Sequence, residues 1–211
     1  HMATKHWVAE ALEVLTESLT PVPHELNELD WKARLSTQKD RLAEHLMAMA
    51  NLPQGGCLVF GIDDDGKPVG IDAGQVETIV GTLTNLGREA IDPPIALDHS
   101  IAEYQATPVL LVRIPGQPIK PIHRRGKSLE ETWIRSAGTT RKASRQEVGA
   151  LMMHSAPVRW EDLRASGMLK LSEVKDLLDL RAIAQLLERP LPDDDEGLAL
   201  WLASEGLTTP D

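Results

Sequence analysis

The chain has 211 residues, 22 Lys and Arg against 32 Asp and Glu for a formal net charge of −10, and a single cysteine. That length can bury a core without staples, and one thiol excludes a disulfide framework or a structural zinc site built on two or more cysteines. No apolar run approaches the roughly 18–20 residues of a membrane span and no signal peptide precedes the first helix, so a cytoplasmic protein without membrane contact is expected.

Residues 6–19 place Trp7, Ala11, Val14, Leu15 and Ser18 at helical intervals, and Thr20-Pro21-Val22-Pro23 ends the pattern. Leu29 and Trp31 then alternate with Glu28, Asp30 and Lys32, the period of a half-buried strand. A helix is expected from Ser36 or Thr37 to about Asn51, closed by Gly55-Gly56. Cys57–Ile62 reads as a buried strand, and Asp65-Gly66 as a hairpin turn leading into a partner strand over Lys67–Ile71. A helix over 74–90 stops at Asp92-Pro93-Pro94. Two strands follow, Ile95–Glu103 and Pro108–Ile114, turning near Gln105-Ala106.

Proline-rich coil leads to a strand near Thr132–Arg135, and Ser144-x-x-Glu147 is a capping box for a helix to about His154. Past Pro157 the composition turns acidic, with helices expected at 172–188 and 195–205. The layout is α+β, a mixed β-sheet with helices packed on it and a small C-terminal helical extension. Three segments are expected: residues 1–23 as helix and linker, 24–156 as the main domain, and 157–211 as an acidic extension leading into a further region of a longer protein.

Charge is distributed unevenly. Lys120, Arg124, Arg125, Lys127, Arg135, Arg141, Lys142 and Arg145 face only Glu130 and Glu131 within one stretch, so that stretch carries +6 and the rest of the chain −16. A basic island in an acidic chain is a candidate phosphate-binding face, because Lys and Arg release condensed counterions from nucleic acid; the plainer reading is a solvated loop. An acidic group, Glu25, Glu28 and Asp30 beside Lys32, then Asp63-Asp64-Asp65, forms a second candidate. Carboxylates converging from neighbouring strands near a lysine could hold a divalent metal and activate water. Against this, Asp63–Asp65 suit a polar turn for conformational reasons alone.

Gly61–Pro68 fits GxxxxGK, but Pro stands where a P-loop needs Ser or Thr, and the flanks read strand–turn–strand instead of opening a helix. An EF-hand fails for want of Gly at the sixth loop position and Glu at the twelfth. Cys57 reads as a core thiol and His45 as a surface or packing residue without an evident partner. His99 and His123 lack ligand spacing. Trp133 suits either base stacking or the core.

Taken in order, Glu25…Asp30-Trp31-Lys32, Ala48-Met-Ala-Asn51, Gly55-Gly56-Cys-Leu-Val-Phe-Gly61-Ile-Asp63-Asp64, Gly66-x-x-Val-Gly70, Lys120-Pro121, Trp133-Ile-Arg135-Ser-Ala-Gly138-Thr-Thr140 and Ala143…Glu147 resemble the Schlafen AlbA-2 domain. This domain is also called divergent AAA and occurs in bacterial transcriptional regulators. The resemblance covers roughly residues 24–152. It implies an α+β DNA- or RNA-binding domain, often attached to a C-terminal regulatory region. Animal relatives include RNA endonucleases with three acidic residues, which by position would be Glu25, Asp30 and Asp63, with Lys32 beside them and Mg2+ or Mn2+ as the metal. Asp30 stands where the family usually has Glu, and Leu52-Pro53-Gln54 replaces a Thr-rich turn. Relatives working as paired lobes imply a homodimer. The expected function is therefore nucleic-acid binding in a transcriptional regulator. A metal-dependent endoribonuclease is the alternative, and a protein-interaction or ATPase-like module a second one.

Overall fold

The computed structural model describes residues 5–155 and, beyond them, Pro190, Pro192, Asp194, Gly197, Leu198, Leu200 and Trp201. The chain divides into two compact units: His1–Gln117 with Ile122–Ala143, and Pro118–Pro121 with Ser144–Asp211.

The first unit is built on helix α1 (His6–Leu19), strand β1 (Leu29–Lys32), helix α2 (Lys39–Ala50), strand β2 (Gly56–Phe60), helix α3 (Ala73–Glu89), strands β3 (Ile91–Asp92), β4 (Asp98–Tyr104), β5 (Thr107–Ile114) and β6 (His123–Arg124), and the hairpin β7 (Trp133–Ser136) and β8 (Thr139–Lys142). Four strands form a mixed sheet in the order β1-β2-β5-β4. β1 runs parallel to β2, with Leu29 beside Cys57 and Lys32 beside Phe60, and the other pairs are antiparallel. β3 pairs with β6 and β7 with β8 in two small ribbons.

Strand alternation sends side chains to two cores. Cys57 and Val59 of β2, Val109 and Leu111 of β5, and Leu29 pack under α1, whose Trp7, Val8, Ala11, Leu15 and Leu19 form its buried stripe. Leu58, Phe60, Leu110, Val112 and Ile114 face the opposite way, onto Leu42, Leu46 and Met49 of α2 and Ile79 and Leu83 of α3. The result is an α+β unit with a helix layer on each face of the sheet. Burial pushes the Cys57 thiol up to about 12, as expected of an inert core thiol.

The structure departs from the sequence reading in several places. Residues 67–71 do not form a strand; Ile62 and Pro68 make one isolated bridge. Gly61, at φ +104, turns the chain out of β2, and its carbonyl accepts from Val69 and Gly70 in a tight loop. Pro68 has no N–H to extend a ladder. β4 starts at Asp98, not Ile95, because the Ile95 N–H bonds Gly87 O and its side chain is core. β8 was not foreseen; residues Ala137 and Gly138, both at positive φ, make the two-residue turn that returns the chain.

In the second unit, α4 (Arg145–Met153) opens on the expected capping box, with Ser144 and Glu147 each satisfying the other's backbone. The Lys120 N–H bonds Ser155 Oγ at 3.0 Å. The C-terminal helices expected at 172–188 and 195–205 lie outside the described residues, except that Gly197, Leu198, Leu200 and Trp201 are helical.

Candidate nucleic-acid interface

The site is assembled where β1, α2 and the β7–β8 hairpin meet. Asp30 and Lys32 project from β1 on the side opposite Leu29 and pair at 3.2 Å. Arg135 of β7 is only 7% exposed, and its guanidinium donates to the carbonyls of Leu26 (2.6 Å), Asn27 (2.9 Å) and Leu29 (3.4 Å) and to Thr140 Oγ1 (3.2 Å). Burial pulls the Arg135 guanidinium below its ordinary value, while the fields of Asp30, Glu25 and Glu28 act in the opposite direction. Arg135 was expected on the nucleic-acid face. It is instead an internal clamp, holding residues 26–29 to the hairpin and balancing the carboxylates around it.

Thr140 Oγ1 also stands 2.8 Å from His45 Nδ1. The hydroxyl has one proton and two lone pairs, so it accepts from Arg135 and still pairs with the imidazole nitrogen. Burial, with Lys32, Arg41 and Arg135 adding positive field against Asp30, pulls His45 down to about 4, so the ring is neutral at pH 7. Reading the sequence missed this arrangement.

Glu25 lies in the irregular segment before β1, its Cβ against Gly138, where a side chain on that turn would collide with it at 2.6 Å. Asp63 is placed differently. Its Oδ1 accepts the backbone N–H groups of Asp65 (3.0 Å) and Lys67 (2.8 Å), capping the turn that follows Gly61. Among the described residues no group of three or more His, Cys, Asp and Glu side chains could hold a metal ion. The donors present therefore do not fit the Glu25–Asp30–Asp63 metal set: Asp63 serves its own turn, and Asp30 pairs with Lys32.

The basic residues divide by role. Arg124 is tied to Asp40 at 3.0 Å and to Glu44 at 3.9 Å on α2. Arg125 and Lys127 stand exposed at the tip of the turn closed by the Lys127 N–H to Arg124 O, with Gly126 at φ +74. On β8, Arg141 and Lys142 are exposed, and Lys142 pairs with Glu131 at 2.9 Å, a bond that lowers the Glu131 carboxyl. Arg41, not foreseen as a site residue, donates to Thr140 O at 3.1 Å and pairs with Glu44 at 2.9 Å. It ties α2 to β8, so the Arg124–Lys127 turn and β8 both flank the first turns of α2. An open groove of about 640 Å³ lies there, lined by Thr37, Gln38, Lys39, Asp40, Arg41 and Glu44. Lys120 and Arg145 belong to the second unit; Lys120 is partly buried, which lowers its ammonium, and Arg145 is an exposed first residue of α4.

Comparison with known proteins gives a family and two similar solved structures. The sequence profile described as Schlafen, AlbA_2 matches residues 25–144, more than half of the chain, and the chain belongs to that family. Among solved structures, it is similar to the DIP2311 protein of Corynebacterium diphtheriae at 20% identity and a TM-score of 0.48, over 71% of this chain and 32% of that one. It is also similar to the N-terminal domain of a protein from Nitrosomonas europaea described as related to the ATP-dependent DNA helicase RecG, at 22% identity and a TM-score of 0.44, over 64% and 93% of the two chains. The chain thus spans about a third of DIP2311. No curated protein matches it. Among the described residues no helix is long and apolar enough to cross a membrane.

Proposed function

We propose that this chain is a nucleic-acid-binding domain of a transcriptional regulator, and that it grips phosphates with the exposed cations beside α2. One observation carries the reading. In a chain of net charge −10, Arg125, Lys127, Arg141 and Lys142 are exposed on two elements flanking the same helix end. Phosphate contacts supply affinity and register without reading sequence, so duplex DNA and structured RNA are both admissible ligands. Membership of the Schlafen AlbA_2 family supports the same reading. Arg135 and Arg124 support it indirectly, by fixing the hairpin and the turn that present the others.

The test is a fluorescence-anisotropy titration of a DNA duplex and an RNA stem-loop at several salt concentrations, in EDTA. Each phosphate contact contributes roughly 0.9 to the slope of log K against log salt on duplex DNA. The double substitution Arg125→Glu and Lys127→Glu is expected to weaken binding and flatten that slope by about 2. Unchanged affinity and slope would remove these residues from the interface.

A further inference from the structure

β4 is an end strand: among the described residues β5 is its one hydrogen-bonded neighbour. The two are joined by a two-residue turn, Gln105 and Ala106, both at positive φ. In such a hairpin Tyr104 and Thr107 exchange hydrogen bonds, and every second residue back along β4 does the same with β5. Ala102, Ser100 and Asp98 therefore point their backbone groups inward, and those of His99, Ile101 and Glu103 point outward. Two contacts agree with this phase. The His99 carbonyl accepts from Lys5 Nζ at 2.9 Å, and the Ile101 carbonyl from Ser100 Oγ at 3.4 Å.

Exposed sheet edges are ordinarily blunted by proline, lysine, a bulge or a covering element. β4 contains no proline or lysine, and its seven residues run in unbroken register. Lys5 guards only the end at Asp98 and His99. In the middle stands Ile101, 55% exposed, flanked on the same face by His99 and Glu103, also exposed.

We infer that β4 is a dimerisation edge, pairing antiparallel with β4 of a second copy about a two-fold axis at Ile101. The strand is self-complementary about that point. Ile101 meets its own copy, Ser100 meets the partner's Ala102, and His99 stands opposite the partner's Glu103, a favourable cross-strand pair. The two Ile101 residues exchange N–H···O=C bonds, and each Glu103 N–H meets the partner's His99 carbonyl. The His99 N–H stays with Asp98 Oδ1, 2.8 Å away. The two sheets become one continuous sheet. The inference is independent of what the basic residues bind.

Sedimentation equilibrium of the whole chain at micromolar concentration tests it. The expected result is a dimer that Ile101→Pro converts to monomer. The Ile101 N–H faces outward, so proline there removes no bond to β5, and the circular dichroism spectrum is expected to be unchanged. A charge cycle decides the matter should that variant unfold. His99→Glu sets two carboxylates opposite each other and shifts the chain toward monomer, and adding Glu103→Lys, which sets Glu opposite Lys, restores the dimer. A monomeric native chain, or a dimer indifferent to Ile101→Pro and to His99→Glu, would overturn the inference.

Discussion

His45 and Thr140 lie 95 residues apart in sequence and 2.8 Å apart in space, and their contact joins the middle of α2 to the last strand of the hairpin. Arg135 donates to the same Thr140 oxygen, and with burial and the nearby cations Lys32, Arg41 and Arg135 around the ring, a protonated imidazole would add a buried positive charge beside them.

A pH dependence follows from that neutral imidazole. The His45 value falls from 6.5 to about 4 on folding, so between these values the unfolded chain holds more protons and stability rises with pH. The contribution is fully present above about pH 6.5 and is lost as pH falls toward 4, to a total on the order of 3 kcal/mol. Thermal unfolding from pH 7 to 4.5 should show this slope, and His45→Gln, which keeps a partner for Thr140 but does not titrate, should flatten it.

Asn51 is 4% exposed and holds the chain after β5 against the end of α2. Its amide donates to Ile122 O and Trp133 O, both at 2.9 Å, and its oxygen accepts the Ile122 N–H at 2.7 Å. Asn51→Leu leaves these backbone groups buried and unpaired, so a loss of about 2–4 kcal/mol is expected. Urea denaturation would read it as a lower midpoint at an unchanged slope.

Arg135 and Arg125 should separate cleanly. Arg135→Gln removes donors from three backbone carbonyls and is expected to cost about 2–4 kcal/mol. Under conditions where the variant stays folded, the salt slope of nucleic-acid binding should not change. Arg125→Gln should do the reverse, leaving the melting temperature alone and lowering the slope by about 1.

Asp63 distinguishes a turn acceptor from a metal ligand. Asparagine retains the oxygen that accepts from Asp65 and Lys67, so Asp63→Asn should cost under about 0.5 kcal/mol, whereas Asp63→Ala should cost about 1. Stability measurements check that ordering. Magnesium-dependent cleavage of an RNA stem-loop that disappears in the Asn variant would instead give Asp63 the ligand role carried over from the animal relatives.

Much of this was legible in the chain itself. The stripe Trp7, Ala11, Leu15 and the alternation around Leu29 and Trp31 announce their elements because one face of each is buried. The Ser144–Glu147 box marks the start of α4, and the Ala48–Asn51 landmark was visible while its task was not. Asn51 acts on residues far along the chain, at Ile122 and Trp133, and no local pattern reports such a partner. The same holds for His45. Arg135 was misplaced because a charge count cannot tell a buried clamp from a surface cation. Lys67–Ile71 failed as a strand because Asp-Gly signals a turn but says nothing of whether the returning segment finds a ladder.

The family match begins at residue 25, yet one face of the central sheet is closed by α1, which ends at Leu19. A fragment trimmed to the match would open Leu29, Cys57, Val59, Ile62, Val109 and Leu111 to water as one greasy surface. Such a fragment should aggregate on expression, however well its remaining residues agree with the family. The unit of homology and the unit of folding are different lengths of chain here, and it is the longer one that has to be made.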